Sequence, residues 1–365
     1  MTRPSVFEST GPTPGSYVKV KMGATKDGKI TAADAYIAFE SGAYPGGLVG
    51  AAAMCVFSCY DIADGLIDCY DVVCNKPRSF AYRAPGSTQV AFATEHVVDL
   101  LAAELGIDPL EFRLNNTATT GTRRIDGVVY PKMGCKEVLE AIRDSDHYKS
   151  AAPSGPNQGR GISVGYWFNV GLKSACTASV NNDGTVSLSE GSTDIGGSRT
   201  SIAMQFAETM GIGAEDVKPQ VVDTDSIGHT DVTGGSRVTY ATGWAAYKAA
   251  LDIQDQLCER VAQLWEVEAD QVKYEDGTLS SGDRSITFKE LAGKLDETGG
   301  PVVGRASVNP DSGVGGSFAA NIADVEVDPE TGKVQVLRFT VIQDAGKAIH
   351  PSYVEGQMQG GSAQG

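Results

Sequence analysis

The sequence has few basic residues, and this limits the partners that it can bind. Its 365 residues include 46 Asp and Glu but only 30 Lys and Arg, which gives a formal net charge of −16. Nucleic acids and anionic membrane surfaces bind clustered Lys and Arg side chains, and no basic run offsets the acidic excess. We therefore expect neither a nucleic acid nor a membrane as a partner.

The sequence also lacks a long apolar run. Its most apolar stretch, residues 46–67, is interrupted by Asp61 and Asp64 before it reaches the roughly 20 residues that a membrane helix needs. We interpret this stretch as buried core. Residues 1–15 contain no apolar segment of the kind found in signal peptides, so we expect a cytoplasmic protein.

The cysteines do not form a pattern that is typical of disulfides or iron–sulfur clusters. There are seven of them, an odd number in a large chain without an export signal, which argues against a disulfide framework. Cys55, Cys59, Cys69 and Cys74 lie close together, but no C-x2-C pair of the ferredoxin type occurs among them. We interpret these four as small buried side chains rather than metal ligands.

Turn and periodicity signals predict both hairpins and helices. Glycine-containing turns between β-branched or alternating runs predict antiparallel hairpins around residues 26–29, 183–184 and 328–332. Apolar residues at three-to-four-residue spacing predict helices over residues 88–107, 109–116, 135–148, 199–212 and 242–267. The fold class is therefore α+β, that is, mixed α/β with antiparallel hairpins and packed helices. The stretch 148–161, rich in Ser, Pro and Gly, predicts a domain boundary.

One glycine-bearing segment, residues 79–89, carries an arginine in a rigid turn before a helix. Arg83 is followed by Pro85 and Gly86, and the free N–H groups of the next helix favour an anion at this end. A carboxylate, phosphate or oxo group would suit Arg83. The alternative is an arginine that bonds loop carbonyls, and its position alone does not separate the two.

Two further segments, residues 191–200 and 231–243, both contain Gly-Gly-Ser-Arg before a helix. Glycine allows close approach to the backbone, serine offers a hydroxyl donor, and arginine adds a cation, as a phosphate-binding loop requires. Neither segment contains the Gly-Lys-Ser/Thr of a P-loop or the dinucleotide fingerprint. Together with the Arg83 loop they indicate a large anionic ligand held at several helix ends.

The fourth segment, VEGQMQGGSAQG (354–365), is Gly-spaced and rich in glutamine. Its glycines allow close helix approach, and Gln357, Gln359 and Gln364 offer amide hydrogen bonds.

The histidines do not group together in the sequence. We interpret them as surface or structurally satisfied side chains: His96, His147, His229 and His350.

At these segments the chain resembles the molybdenum-cofactor-binding subunit of the xanthine dehydrogenase and aldehyde oxidase family. The resemblance rests on AYRAPGSTQVAFATEHVVDLLAAELGIDPLEFRLNN, on GSTDIGGSRTSIAMQFAETMGI and on DAGKAIHPSYVEGQMQGGSAQG, which occur in the family's order. It implies two molybdenum-cofactor-binding domains, both incomplete. Residues 1–125 would be the latter part of the first, 126–160 a connecting segment, and 161–365 the first part of the second.

This resemblance implies a molybdenum hydroxylase that oxidises a C–H bond of an aldehyde or N-heteroaromatic substrate with oxygen derived from water. The cofactor would be molybdenum–molybdopterin or its cytosine dinucleotide, which supplies the difficult chemistry. Electrons would pass to a 2Fe-2S cluster and FAD on partner subunits or domains. The chain itself would not ligate the metal.

The resemblance also assigns the cofactor-binding residues by position. It places Tyr82, Arg83 and Ala84 beside the molybdenum, with Gly86 in the same loop, and Gln364 near the metal's ligands. The two Gly-Gly-Ser-Arg loops would hold the pterin phosphates. Their assigned residues are Gly196, Gly197, Ser198, Arg199, Thr200, Gly234, Gly235, Ser236, Arg237 and Thr239.

Three departures from the family pattern restrict this interpretation. The family often has Gly-Gln-Gly where this chain has Gly196-Gly197-Ser198, and Pro85 replaces the aromatic residue of purine-oxidising members. The family's catalytic Glu lies in a Gly-x-Gly-Glu loop beyond residue 365, so no catalytic base is assigned here. We therefore expect an internal portion of a larger chain, or a split subunit completed by a neighbour, that is inactive alone. The alternatives are a non-catalytic relative and an unrelated anion-binding α/β protein.

Overall fold

The computed structural model describes residues 1–223, 225–311 and 316–365 and confirms a mixed α/β fold. The α-helices are α1 (Arg3–Ser9), α2 (Val49–Cys55), α3 (Ser87–Leu105), α4 (Pro109–Asn116), α5 (Cys135–Asp144), α6 (Asp146–Lys149), α7 (Ser198–Met210), α8 (Gly243–Trp265), α9 (Phe288–Ala292) and α10 (Pro351–Gln364). Shorter turns of helix are the π-turn Val238–Thr242 and the 3-10 turns Ala214–Asp216, Ala269–Gln271 and Leu295–Glu297. Within the described ranges, no helix is long and apolar enough to cross a lipid bilayer.

The strands in the described part of the chain form four sheets. They are β1 (Ser16–Ala24), β2 (Ile30–Gly42), β3 (Asp64–Val73), β4 (Gln158–Trp167), β5 (Ser174–Val180), β6 (Val186–Glu190), β7 (Val217–Val221), β8 (Lys273–Glu275), β9 (Thr278–Ser281), β10 (Arg284–Thr287), β11 (Val303–Val308), β12 (Ser317–Val327) and β13 (Val334–Asp344). The chain divides into two compact units, each with its own apolar core. Unit 1 comprises residues 1–168, 315–346 and 356–365, and unit 2 comprises residues 169–314 and 347–355.

Unit 1 contains two three-stranded sheets, in the orders β1-β2-β3 and β13-β12-β4. The hairpins predicted around residues 26–29 and 328–332 are confirmed, because β1 pairs antiparallel with β2 and β12 pairs antiparallel with β13. Helix α3 packs against β1 and β4. The core between these elements is built from aromatic and aliphatic side chains, among them Ile37, Phe39, Val98, Leu110, Phe112 and Phe318.

A buried ion pair fixes α3 to α4 and to β4. The Glu95 carboxylate accepts hydrogen bonds from Arg113 Nε at 2.9 Å, from the Tyr60 hydroxyl at 2.6 Å and from the Val164 N–H at 2.9 Å. Every oxygen of this buried acid is therefore paired, as a charge inside a core requires. The helix α4 begins as predicted, with Asp108 as its N-cap.

Unit 2 is built on a four-stranded sheet in the order β11-β5-β6-β7. The hairpin predicted around residues 183–184 is confirmed by the antiparallel pairing of β5 with β6. Helices α7 and α8 pack on this sheet, and α8 turns a row of buried alanines toward it. Small side chains let the helix approach closely, and a Cβ on Gly304 of β11 would strike the Ala249 carbonyl.

The region around the predicted linker differs from the expectation in two details. The predicted helix over residues 135–148 is divided at Ser145, which has an extended backbone and caps α6 through a hydrogen bond from the Tyr148 N–H. Residues 158–161 of the Ser/Pro/Gly-rich stretch belong to β4, which pairs with β12. The domain bounds 1–125, 126–160 and 161–365 stay a prediction.

Candidate cofactor-binding site

The Arg83 loop of unit 1 is a turn whose shape is fixed by two left-handed residues. Ala84 has a φ of 53° and Gly86 a φ of 86°. A Cβ on Gly86 would lie 2.8 Å from the backbone nitrogen of Ala52 in α2, so only glycine fits here. Gly86 then serves as the N-cap of α3. Tyr82 and Arg83 stay exposed on this rigid turn.

The Arg83 guanidinium contacts α10. Its Nη2 donates to the backbone carbonyl of Gln357 and, at 3.1 Å, to the side-chain oxygen of the same residue, and Nη1 donates to Gln364 Oε1 at 3.3 Å. Cβ atoms on Gly360 and Gly361 would come within 3.3 and 3.4 Å of the guanidinium, so the glycine-spaced face of the helix makes room for it. The structure thus brings together Arg83 and two glutamines that the sequence analysis singled out separately.

In unit 2, the first Gly-Gly-Ser-Arg segment begins α7. Gly197 is the N-cap, with a φ of 103° that favours glycine. The Asp194 carboxylate accepts from the Gly197 N–H at 2.8 Å, the Ser198 N–H at 3.0 Å and Arg199 Nε at 2.7 Å. Although partial burial raises the pKa of Asp194, these hydrogen bonds outweigh it and lower that pKa to about 2. Asp194 is therefore ionised at neutral pH.

The exposed edge of this loop has hydrogen-bond donors that the Asp194 carboxylate does not use and that could bind an anionic ligand. Gly196, Arg199 and Thr200 are exposed, whereas Ser198 is buried. The backbone N–H groups of Arg199 and Thr200 lie in the first turn of α7, where no acceptor exists within the helix. Together with the helix dipole, these donors form an anion-binding end.

The arginine of the second Gly-Gly-Ser-Arg segment is buried, unlike that of the first. Arg237 is fully buried, and its guanidinium donates to backbone carbonyls and to serine hydroxyls. The nearest acceptors are Lys173 O at 2.8 Å, Asp231 O at 3.0 Å, Gly171 O at 3.1 Å and Ser174 Oγ, and Val232 O and Ser192 Oγ follow at 3.5 Å.

This burial corrects the expectation that the Arg237 cation faces an anion. Its donors are spent on the chain's own acceptors, so any part that Arg237 plays in cofactor binding comes through the loop that it holds in place. The assigned residues of this loop that stay exposed are Gly234, Ser236 and Thr239. Their cofactor contacts, like those of the other assigned residues, stay a prediction.

The two Gly-Gly-Ser-Arg loops are joined within unit 2. The Thr193 N–H donates to Thr233 Oγ1 at 3.1 Å. Beneath them, the hydroxyl of Thr242 contacts those of Ser192 at 2.7 Å and Ser174 at 2.9 Å. The sequence analysis predicted that both loops hold one large anionic ligand, and their contact within unit 2 is compatible with that prediction.

A buried carboxyl group that the sequence analysis missed lies under the first loop. Glu190 is fully buried; its Oε2 accepts from the Ser192 N–H, while its Oε1 has no hydrogen-bond partner in the described part of the chain. Burial raises the pKa of Glu190 to about 7. The period-two pattern Val186, Leu188, Glu190 in β6 was the signal that could have placed this residue on the buried face.

An aromatic pair at the start of α10, formed by Tyr353 and by His350 just before the helix, also escaped the sequence analysis. The rings of His350 and Tyr353 are stacked, with centroids 3.7 Å apart and planes 5° apart. A Cβ on Gly197 would overlap the Tyr353 ring. No sequence signal connects residues this far apart, because the contact is purely tertiary.

Among the described residues, no group of three or more His, Cys, Asp or Glu side chains lies close enough to hold a metal ion.

Comparison with known proteins matches this arrangement to one family. Two family models, both described as a molybdopterin cofactor-binding domain, match residues 1–117 and 137–365. The chain is 27% identical over 381 residues to the aldehyde oxidoreductase molybdenum-binding subunit PaoC of Escherichia coli (strain K12), a match that covers 100% of this chain and 50% of PaoC. It is 30% identical over 323 residues to the xanthine dehydrogenase molybdenum-binding subunit of Escherichia coli O157:H7, covering 80% of this chain and 41% of that subunit.

A solved structure gives the same result for the fold. Quinoline 2-oxidoreductase from Pseudomonas putida 86 superposes with a TM-score of 0.82 at 22% identity, covering 95% of this chain and 49% of that one. The chain spans about half the length of the curated relatives that it matches over its full extent. Because the larger family-model match alone, residues 137–365, takes more than half of the sequence, the chain belongs to the molybdopterin cofactor-binding family of the xanthine dehydrogenase and aldehyde oxidoreductase molybdenum-binding subunits.

Proposed function

We propose that this chain is the cofactor-binding portion of a molybdenum hydroxylase that oxidises a C–H bond of an aldehyde or an N-heteroaromatic compound. The observation that carries the proposal is the contact of Arg83 with Gln357 and Gln364. These residues come from segments that the family resemblance assigns, independently, to the surroundings of the metal. Their meeting in unit 1 is what a shared site requires.

The residues of unit 2 fit a pterin that carries phosphate groups. The two joined loops offer exposed glycine backbone, the free N–H groups of Arg199 and Thr200, and the hydroxyls of Ser236 and Thr239. Such donors at a helix N-terminus suit a phosphate. When bound, the molybdenum cofactor supplies the redox chemistry that hydroxylates the substrate with oxygen from water.

The chain's own part is to bind and orient. The Arg83 guanidinium places a positive charge on a turn that packs closely against α2 at Gly86, and the side-chain oxygens of Gln357 and Gln364 accept hydrogen bonds from it. In unit 2, ionised Asp194 holds Arg199 at the start of α7 and so keeps a second cation at the loop. Fixed charges of this kind orient a ligand without reorganisation when it binds.

The substrate class and the partners are part of the same proposal. The names of the relatives include an aldehyde oxidoreductase and a xanthine dehydrogenase, and a fold neighbour acts on quinoline, which supports an aldehyde or N-heteroaromatic substrate. Several relatives are named as subunits, which supports an assembly of several chains, and we propose that its other members carry the 2Fe-2S cluster and FAD that accept the electrons. We further propose the cytosine dinucleotide form of the cofactor and a cytoplasmic location.

The test is the metal and pterin content of the protein purified in its natural assembly. We expect molybdenum, by mass spectrometry, and pterin, by fluorescence after oxidation, in equal amounts. Arg83→Ala should lower both, whereas Arg338→Ala, which removes an exposed arginine on β13, should lower neither. Wild-type protein without molybdenum would overturn the proposal. Full cofactor content without turnover of aldehydes or N-heteroaromatics would favour a non-catalytic relative.

A further inference from the structure

The segment 347–355 of unit 2 holds an aromatic ring against the first Gly-Gly-Ser-Arg loop. Lys347 Nζ lies 3.2 Å from Glu208 Oε1 of α7, and Tyr353 lies over Gly197 at the start of the same helix. The His350 ring, stacked on Tyr353 at 3.7 Å, fixes the plane of the tyrosine. Two separate contacts therefore tie this segment to α7.

The contact with Gly197 is close enough to determine the shape of the loop. The ring atoms that a Cβ at position 197 would strike are Cε2, Cδ2 and Cζ of Tyr353. Gly197 also needs its left-handed φ of 103° to end the loop and begin the helix. The ring thus closes off one side of the turn whose N–H groups face Asp194.

The hydroxyl of Tyr353 is a polar group close to the start of α7. Its oxygen is bonded to Cζ, one of the ring atoms nearest to Gly197, so it lies beside the N-terminal end of α7. The residue is 41% exposed, and in the described ranges its hydroxyl has no hydrogen-bond partner. A tyrosine hydroxyl is a good donor to a phosphate oxygen.

We propose that Tyr353 is a further cofactor-binding residue: its ring holds the Gly196-Gly197 turn, and its hydroxyl donates a hydrogen bond to a phosphate of the cofactor bound there. This inference rests on the proposed function, because it takes the ligand of the loop to be the phosphate-bearing pterin. It assigns two separable tasks to one side chain. The ring acts with or without the ligand, and the hydroxyl acts only when the ligand is present.

The experiment separates the two tasks with two variants and a matched control. Tyr353→Phe removes only the hydroxyl, Tyr353→Ala removes the ring as well, and Tyr247→Phe removes the hydroxyl of a tyrosine on α8 that is equally exposed, at 39%. Two quantities are measured on the natural assembly. One is the rate at which molybdenum is lost after dilution, and the other is hydrogen–deuterium exchange of the amides in residues 194–200.

We expect Tyr353→Phe to lose molybdenum about fivefold faster than wild type, the effect of one hydrogen bond, with unchanged amide exchange in the cofactor-free protein. Tyr353→Ala should lose it faster still and should raise the exchange of residues 194–200. Tyr247→Phe should match the wild type in both measurements.

Two results would overturn this inference while leaving the proposed function intact. If wild type contains molybdenum and Tyr353→Phe loses it no faster than Tyr247→Phe, the hydroxyl does not bind the cofactor. If Tyr353→Ala leaves amide exchange unchanged, the ring does not hold the turn. Wild-type protein without molybdenum would instead overturn the proposed function, and the exchange measurement would still decide the role of the ring.

Discussion

The chain contains the tetrapeptide Gly-Gly-Ser-Arg twice, at residues 196–199 and 234–237, and the two copies place their arginines in opposite environments. The side chain of Arg199 is 49% exposed and pairs with Asp194. Arg237 is fully buried among backbone carbonyls and hydroxyls. The difference comes from the flanking residues. Asp194 provides a carboxylate inside the first loop, whereas the carboxylate of Asp231 in the second loop accepts from the Lys173 N–H and contacts His229.

The comparison shows that a motif specifies donors but not the direction in which they point. A guanidinium has five N–H groups in a rigid fork and can cross-link several carbonyls as readily as it can bind an anion. In the second loop it joins residues 171–174 to residue 231. In the first loop it stays at the surface, where a ligand can reach it.

The largest expected effect is that of removing the buried arginine. Arg237→Ala should lower the free energy of unfolding by about 4 kcal/mol, because it leaves several buried carbonyls without donors and opens a cavity. Urea denaturation followed by tryptophan fluorescence measures this loss. Arg284→Ala, which removes an exposed arginine of the same unit, is the control and should change stability little. Equal stability of the two variants would contradict the structural role of Arg237.

The next effect concerns the glycines of the two copies. Gly197→Ala should destabilise the protein by about 3 kcal/mol, because alanine disfavours a φ of 103° and its Cβ would overlap the Tyr353 ring. Gly234→Ala is the matched control, since a Cβ there has open space around it. The thermal midpoints of the two variants should therefore differ clearly. A harmless Gly197→Ala would mean that the turn adopts another shape.

A third effect depends on pH and concerns Glu190, which is buried and accepts from the Ser192 N–H of the first loop. The folded-state pKa of Glu190 is raised from 4.5 to about 7 by burial, so the folded chain keeps a proton that the unfolded chain releases. This contribution favours folding below pH 4.5, and it is lost as the pH rises toward 7.

Glu190→Gln should abolish this loss. At pH 8 the variant should be about 3 kcal/mol more stable relative to wild type than it is at pH 4.5. Urea midpoints across this range measure the difference, and Glu215→Gln, at an exposed site, should follow the wild-type profile. Parallel profiles of Glu190→Gln and wild type would show that Glu190 is ionised when folded.

The smallest effect on stability is expected at the exposed arginine. Arg199→Ala should lower the free energy of unfolding by less than about 1 kcal/mol, because surface ion pairs contribute little. Its molybdenum content should nevertheless fall, since the variant removes a cation from the proposed phosphate loop. Arg305→Ala, another exposed arginine of unit 2, should keep its full content. A large stability loss in Arg199→Ala would mean that Arg199, like Arg237, has a structural role, which would contradict the difference between the two copies.

Local sequence signals predicted the three hairpins and the longer helices of the fold. The glycine turns gave all three hairpins, and Asp108-Pro109 gave the start of α4, because turn and capping chemistry depends on adjacent residues. The sequence also singled out Arg83, Gln357 and Gln364, although their mutual contact required the tertiary structure.

Other parts of the site could not be predicted, for a physical reason. Whether an arginine is buried depends on which carbonyls surround it, and those of Gly171 and Lys173 lie more than sixty residues from Arg237. The overlap of Tyr353 with Gly197 likewise depends on packing between distant segments. The burial of Glu190 was indicated in the sequence only by the alternation of side chains in β6.

The π-turn Val238–Thr242 lies between Arg237 and α8, and it determines the direction in which Arg237 points around the helix axis. A π-turn contains one residue more than an α-helical turn, which corresponds to about 100° of rotation around the helix axis. A version of the chain with one residue deleted here could form an uninterrupted helix, yet its Arg237 would point away from the carbonyls that it now joins. A regular α-helix would need one residue fewer in this segment, whereas the orientation of Arg237 needs the extra residue. The chain therefore keeps the π-turn.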